Sequence, residues 1–167
     1  MKRSITTVLV GAALLMAGAV AAPMAAAADD RIEPDPQIAA MLEAVPGGVV
    51  LDAYNAVWPE LDMEMTVEPA RPSGLAERSS VTALSSVGAC ASGKVCAFSL
   101  SGTNGSKLSW GTCNTSFPVG TFTVRSIADA RSSGYAQAKY GTTVRATAYA
   151  GGWKNVYGSV SRITCVS

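Results

Sequence analysis

The chain has 167 residues, four cysteines and no histidine, which excludes Ser-His-Asp triads, Cys-His pairs and the His-based zinc hydrolase motifs. Its net charge of +1 hides an acidic region, residues 29–78 with eleven acids and three bases, and a basic region, residues 79–167 with eight bases. The basic region holds a single acid, Asp129, and so lacks the two carboxylates of glycoside hydrolysis; we expect a non-catalytic protein without cofactor or metal.

Residues 1–28 have the composition of a secretory signal peptide. A short basic start precedes an apolar run, and small residues ending at Ala28 provide the cleavage region. A transmembrane anchor is the alternative, but the run is rich in Ala and Gly and leads into an Ala-x-Ala pattern. We therefore predict a secreted, extracellular protein with no membrane anchor after cleavage. In that oxidising location the four cysteines are expected to form two disulfides, and three pairings are open.

Residues 29–68 form an acidic segment, and its sequence pattern predicts one short helix followed by a small β-hairpin. The apolar positions of the helix have i, i+3, i+4, i+7 spacing: Ile38, Met41, Leu42 and Val45. Two β-prone runs flank Asn55, and residues 61–68 alternate apolar with acidic or polar side chains, as in a half-buried strand. A hairpin this small needs a larger partner. It either completes a sheet or masks the basic region electrostatically, as a folded partner or a removable pro-region.

The remaining chain divides into a linker, residues 69–88, and a basic domain, residues 89–167. The linker is rich in Pro, Ser, Gly and Ala and contains Arg71 and Arg78, where trypsin-like processing is expected. The domain has short β-prone runs about ten residues apart, separated by Gly, Asn and Ser turns and by a loop over 113–120, which predicts an all-β sandwich. We expect Trp110 to pack in its core.

The stretch CASGKVCAFSLSGTNGSKL resembles the opening of secreted actinobacterial metalloproteinase inhibitors and their relatives, whose domains have a βγ-crystallin-like fold. The matching positions are Cys90, Gly93, Cys96, Phe98 and Gly105. Two incomplete copies of the crystallin aromatic-and-glycine motif also occur, the first at Phe98, Thr103 and Gly105, the second at Val144, Tyr149 and Gly151. Residues 129–133, Asp-Ala-Arg-Ser-Ser, resemble the strand-d motif of that fold.

This resemblance implies a Greek-key sandwich preceded by the helix and hairpin, and a secreted monomeric peptidase inhibitor that occludes an extracellular protease with a loop. The resemblance pairs Cys90 with Cys96 and leaves Cys113 to pair with Cys165. The rival pairing joins Cys96 to Cys113 and Cys90 to Cys165. Calcium-binding relatives begin the strand-d motif with two Asn or Asp residues, whereas this chain has Ala128 in the first place. The family's second close cysteine pair, which brackets a reactive loop, is missing as well.

The candidate partner-binding residues are in a Gly-rich segment that we predict to be a surface loop: Tyr149, Trp153, Lys154 and Tyr157. Aromatic and basic side chains in such loops often anchor partners. The alternative is that Trp153 packs over the core. Other functions are a binding module for an anionic cell-wall polymer or polysaccharide, using Trp153 and Tyr157, or a crystallin-like antimicrobial protein, supported only by the basic charge.

Overall fold

The computed structural model describes residues 32–69 and 86–167. The predicted signal peptide and most of the predicted linker, with Arg71 and Arg78, lie outside the described residues. Within them the chain forms one α-helix and eleven strands arranged in two antiparallel sheets. The prediction of an all-β protein with a short N-terminal helix is confirmed.

The acidic segment contributes the helix and three strands: α1 (Pro36–Ala44), β1 (Val49–Asp52), β2 (Asn55–Trp58) and β3 (Met63–Thr66). The basic region contributes eight strands: β4 (Val95–Phe98), β5 (Lys107–Trp110), β6 (Thr115–Pro118), β7 (Ser126–Asp129), β8 (Tyr135–Tyr140), β9 (Thr143–Tyr149), β10 (Gly152–Asn155) and β11 (Arg162–Val166).

Helix α1 forms where the spacing of apolar residues predicts it. Asp35 caps its first turn by accepting a hydrogen bond from the Gln37 backbone N–H at 2.8 Å, an interaction typical of helix starts. Ile38 and Met41 are fully buried. The helix ends before Pro46, which cannot continue it, and Gly47, whose φ of 91° favours glycine.

The β1–β3 hairpin completes a sheet of the basic region. The seven-stranded sheet has the order β1-β2-β3-β5-β4-β7-β10, and β3 pairs with β5 so that Met63 lies opposite Trp110 and Met65 opposite Leu108. All four side chains are buried. The acidic segment is therefore built into the same core as the basic strands, which was one of the two arrangements expected for it.

The eight basic-region strands form two consecutive four-strand repeats, β4–β7 and β8–β11. The second sheet has the order β6-β11-β8-β9. Each repeat thus places its third strand in the sheet of the other repeat: β6 joins β11, and β10 joins β7. This exchange ties the two sheets together through the connections on either side of each third strand.

One core cluster draws side chains from both sheets and from the helix. Trp110 of the seven-stranded sheet is fully buried and stacks on Phe117 of the four-stranded sheet, with ring centroids 5.2 Å apart. The prediction that Trp110 packs in the core is confirmed. The four-stranded sheet supplies small residues to the same core: Ala136, Ala138, Ala146 and Ala148.

The two disulfides join Cys90 to Cys96 and Cys113 to Cys165. This is the pairing implied by the resemblance, and the rival pairing is wrong. Cys96 and Phe98 belong to a second, smaller cluster on the outward face of the seven-stranded sheet. Val87, assigned to the linker by its sequence context, is buried in that cluster and pairs with Cys90 in a β-bridge.

The predicted loop over 113–120 is wrong in its centre, because Thr115–Pro118 form β6 along β11. Phe117 is buried and faces Ile163 across the two strands. Asn114, Pro118 and Gly120 are typical turn residues. They obscured a short strand whose position is specified by the burial of the β-prone Phe117.

Candidate binding surface on strands β9 and β10

The predicted loop from Tyr149 to Tyr157 is instead a strand end, a tight turn and an edge strand. Tyr149 ends β9 in the four-stranded sheet, and Gly152 begins β10 in the seven-stranded sheet. Between them Gly151 has a φ of 75° and donates a backbone hydrogen bond to Asp129 at 2.8 Å. The glycines that suggested a mobile loop therefore permit an abrupt passage between sheets.

Trp153 points away from the interior. It lies directly opposite Ala128 on β7, and directly opposite residues share a face of a sheet. Ala128 belongs to the outward cluster with Cys96 and Phe98, so Trp153 is on the outward face, where its side chain is 49% exposed. Trp153 is therefore not one of the side chains that form the core between the two sheets.

Tyr149 lies on the outward face of the other sheet. Its neighbour Ala148 is buried in the core, and successive residues of a strand alternate between faces. The Tyr149 ring is edge-on to the ring of Tyr135 on β8, with centroids 6.3 Å apart. The structure consequently separates Tyr149 from Trp153, because they occupy the outward faces of different sheets.

Lys154 and Tyr157 remain with Trp153 at the edge formed by β10. Lys154 lies opposite Ile127, on the face that turns toward the other sheet, yet it is exposed because β10 is the last strand. Tyr157 is 79% exposed and follows Val156, which is buried and hydrogen-bonded through its backbone to Arg125. We call Trp153, Lys154 and Tyr157 the β10 surface.

The β10 surface is supported from behind by the connection between β4 and β5. The Asn155 side-chain oxygen accepts a hydrogen bond from the Gly102 backbone N–H at 3.0 Å. The buried Ser126 hydroxyl accepts from the Thr103 N–H at 3.1 Å and donates to the Leu100 carbonyl at 2.8 Å. These contacts fix the strand against which β10 pairs, so the β10 backbone is held on one side while its other edge has no strand partner among the described residues.

The residues resembling the strand-d motif are held by an ion pair. Asp129 is fully buried, and both of its carboxylate oxygens accept hydrogen bonds from the Arg131 guanidinium, at 2.8 and 2.6 Å. The same guanidinium donates to the Val166 carbonyl at 3.0 Å, which connects the ends of β7 and β11. Arg131 thus occupies the oxygens that a cation would need.

A cleft of about 830 Å³ adjoins this ion pair, and no sequence motif indicated it. Serine side chains and backbone dominate its walls, with Ser132, Ser133 and Gly151 among them. Its one charged side chain is Arg131, which is committed to Asp129. The described residues contain no group of three or more His, Cys, Asp or Glu side chains that could hold a metal ion.

A second ion pair connects the acidic segment to the basic region. Glu64 on β3 accepts a hydrogen bond from Lys94 at 2.7 Å and another from the Ser109 hydroxyl at 3.3 Å. The Lys94 hydrogen bond is the main cause that lowers the pKa of Glu64 below its ordinary value. Burial lowers the pKa of the neighbouring Lys107. The opposite charges of the two regions therefore meet here as a local contact.

No family model, curated protein or solved structure matches this chain. In the part of the chain that the structure describes, no helix has the length and apolar character needed to cross a membrane. The two disulfides are compatible with an extracellular location.

Proposed function

We propose that the protein is a secreted, monomeric inhibitor of an extracellular protease, and that the β10 surface occupies the substrate cleft of its target. The observation that carries this proposal is that Trp153 and Lys154 are exposed on an edge strand which, among the described residues, is paired on one side only. An extended segment of this kind can bind a partner by backbone hydrogen bonds, while alternate side chains fill pockets. The inhibitor acts through a strand, in place of the loop expected from the sequence.

Rigidity favours inhibition over cleavage. Strand β10 is ordered by its pairing with β7 and by the Asn155 contact to Gly102, so binding orders little additional chain. Trp153 supplies an aromatic anchor and Lys154 a positive charge that suits an acidic cleft. Tyr157 extends the contact beyond the end of the strand.

The finer assignment to a βγ-crystallin-like Greek-key fold belongs to the same proposal. It is supported by the exchange of third strands between the two repeats. It is also supported by the backbone at the two motif glycines, since Gly105 and Gly151 have φ values of 79° and 75°, a conformation that glycine adopts at little cost.

Trp153→Ala tests the proposed inhibitor. The variant and the parent are titrated against a panel of metalloproteases and serine proteases, and their melting curves are compared. A surface anchor should lose about 2 kcal/mol or more of binding free energy, roughly thirtyfold in the inhibition constant, with little change in melting. Tyr54→Ala is the matched control, because Tyr54 is an aromatic residue of similar exposure in the turn between β1 and β2, at the far end of the same sheet.

Two outcomes contradict the proposal. If the parent inhibits no protease in the panel, the function is wrong. If it inhibits but Trp153→Ala inhibits equally well, the protein is an inhibitor and the β10 surface is not its site.

A further inference from the structure

The outward face of the four-stranded sheet carries two cations directly opposite each other. Arg162 on β11 lies opposite Lys139 on β8. Like charges in this arrangement repel and destabilise a sheet. Neither cation has a carboxylate within ion-pair distance among the described residues, and the four strands contain no Asp or Glu. The sheet therefore contains an unfavourable charge pair that no nearby carboxylate of the described residues offsets. Positions where a protein keeps such an unfavourable contact are often functional.

Hydroxyl and amide groups form the next row of this face, about 7 Å further along the strands. Thr164 lies opposite both Ser116 and Gln137, and Gln137 lies opposite Thr147, so the row crosses all four strands. The Gln137 amide donates to the Thr147 hydroxyl at 3.3 Å, and the Ser116 and Thr164 hydroxyls are 3.4 Å apart. These groups are held in place by one another and retain hydrogen-bonding capacity toward solvent.

The third row is aromatic. Tyr135 lies opposite Tyr149, a further step of about 7 Å along the strands. The tyrosines have an edge-to-face arrangement, and Tyr149 is 71% exposed. From the cations to the tyrosines the face therefore spans about 14 Å, which is four residues of strand.

We propose that this outward face binds an anionic polysaccharide, with carboxylate or phosphate groups at Arg162 and Lys139, sugar hydroxyls along the Ser/Thr/Gln row, and an apolar sugar face against Tyr149. A bound anion would lie between the two cations and remove their repulsion. Tyrosine offers an apolar ring together with a hydroxyl, which matches the mixed surface of a sugar.

A nucleic acid fits this face less well. Proteins that bind single strands combine a positive groove that follows the backbone with aromatic platforms on which successive bases stack. Here Lys139 and Arg162 lie side by side at one end of the face, and the two tyrosine rings meet edge to face. The observed arrangement provides one anchoring point for negative charge followed by neutral hydrogen-bonding groups.

The experiment measures binding of the full mature chain, at low salt, to four polymers. Polygalacturonate supplies carboxylates on a sugar chain, and phosphomannan supplies phosphates on a sugar chain. Fully methyl-esterified polygalacturonate provides the same sugar backbone without charge, and oligodeoxythymidylate represents single-stranded nucleic acid. We expect polygalacturonate or phosphomannan to bind most tightly, and the preferred one identifies the anionic group.

Variants then locate the site. Lys139→Gln and Arg162→Gln should each weaken binding of the preferred polymer about tenfold, as expected for loss of a hydrogen bond to a charged group. Arg125→Gln is the matched control, because it removes one exposed positive charge outside the four-stranded sheet. Tyr149→Ala should also weaken binding. Protease inhibition by Lys139→Gln should equal that of the parent, which separates this site from the β10 surface.

Four outcomes overturn the proposal. The proposal fails if neither anionic polymer binds. It also fails if the methyl ester binds as tightly as polygalacturonate, since charge would then be irrelevant. Tighter binding of oligodeoxythymidylate would assign the face to nucleic acid instead. Equal losses in Arg125→Gln and Lys139→Gln would show that the positive charge acts without a defined site.

Discussion

The two sheets are built from equivalent repeats, yet their outward faces differ. In the seven-stranded sheet the outward face is covered by the Cys90–Cys96 disulfide and its apolar cluster, and Glu64 neutralises Lys94 across the face. In the four-stranded sheet the outward face is open, and Lys139 and Arg162 have no neutralising partner among the described residues. The first arrangement serves stability, whereas the second leaves charge and hydrogen-bonding groups available to a ligand.

The edges of the sheets differ in the same way. Strand β5 of the first repeat pairs with β3 along its outer edge, while its counterpart β9 in the second repeat has no strand partner on its outer edge in the described part of the chain. The acidic segment therefore extends the sheet edge of one repeat only. The following predictions test this division between a completed sheet and an open one, from the largest expected effect to the smallest.

Removal of residues 32–69 should abolish folding of the basic region. Five side chains from that segment are almost fully buried: Ile38, Met41, Trp58, Met63 and Met65. At about 1.5 to 3 kcal/mol each, their burial contributes at least about 8 kcal/mol, which is comparable to the stability of a whole domain. Circular dichroism of residues 86–167 should show no cooperative melting. A cooperative transition near that of the mature chain would mean that the basic region is an independent domain with a removable partner.

The disulfide in the four-stranded sheet should stabilise the protein more than the one in the seven-stranded sheet. The separations are 52 residues for Cys113–Cys165 and 6 for Cys90–Cys96, and cross-links that close longer loops restrict the unfolded chain more. Replacing both cysteines by alanine should cost about 4 kcal/mol for the long link and about 2 kcal/mol for the short one. Urea unfolding of the two double variants measures the difference, and a larger loss for the short link would contradict the loop argument.

Two buried tryptophans on the seven-stranded sheet should respond differently to replacement by phenylalanine. The Trp58 indole N–H donates to the Val45 carbonyl at 2.7 Å and so attaches the end of α1 to β2, whereas the Trp110 indole nitrogen has no hydrogen-bond partner among the described residues. Trp58→Phe should therefore cost about 1 kcal/mol more than Trp110→Phe, since the loss of ring volume is the same. Equal free energies of unfolding would show that the Trp110 N–H has a partner.

The local elements could be predicted from the sequence because short-range patterns specify them. The i, i+3, i+4, i+7 spacing predicted α1, and the alternation ending in Met63, Met65 and Val67 predicted β3, whose burial is as expected. The pairing of β3 with β5 was only one of two open arrangements, since neither segment encodes its partner. The exchange of β6 and β10 between sheets is likewise a long-range property that no local pattern contains.

The sequence pattern predicted correctly that the candidate site residues are exposed, but it predicted the wrong backbone geometry for them. Tyr149, Trp153, Lys154 and Tyr157 are all exposed, as expected for binding residues, but three glycines together with Lys154 and Asn155 suggested a loop where β10 forms. The assignment of Tyr149 and Trp153 to different faces depends on a turn at Gly151, and their separation could not be deduced from the nine residues between Tyr149 and Tyr157, ends included. The face of Lys139 and Arg162 was missed because its members come from four strands.

Glu64 should stabilise the completed sheet in a pH-dependent manner. Its pKa is lowered in the folded protein, chiefly by the hydrogen bond from Lys94, so its contribution is complete above its ordinary pKa near 4.5 and is lost as pH falls through the lowered value. Because the pair is partly exposed, Glu64→Gln should cost less than about 1 kcal/mol at neutral pH. The difference from the parent should vanish in strong acid. Urea unfolding of the parent and of Glu64→Gln at neutral and at strongly acidic pH measures the difference, and an equal difference at both pH values would contradict the prediction.

Lys139→Gln should have the smallest effect and the opposite sign. The substitution removes the repulsion with Arg162 across β8 and β11, so the variant should be more stable than the parent by a few tenths of a kcal/mol, roughly the size of one cross-strand pair. The gain should fade with added salt, because exposed charges are screened. Arg125→Gln, in which no cation lies directly opposite on a paired strand, should show no comparable gain in stability in urea unfolding at low salt.

A loss of stability in Lys139→Gln would mean that the lysine stem packs against the sheet and that the repulsion is minor. A gain in stability together with weaker polysaccharide binding would show that this face retains an unfavourable charge pair because a ligand requires it, as expected where function and stability conflict.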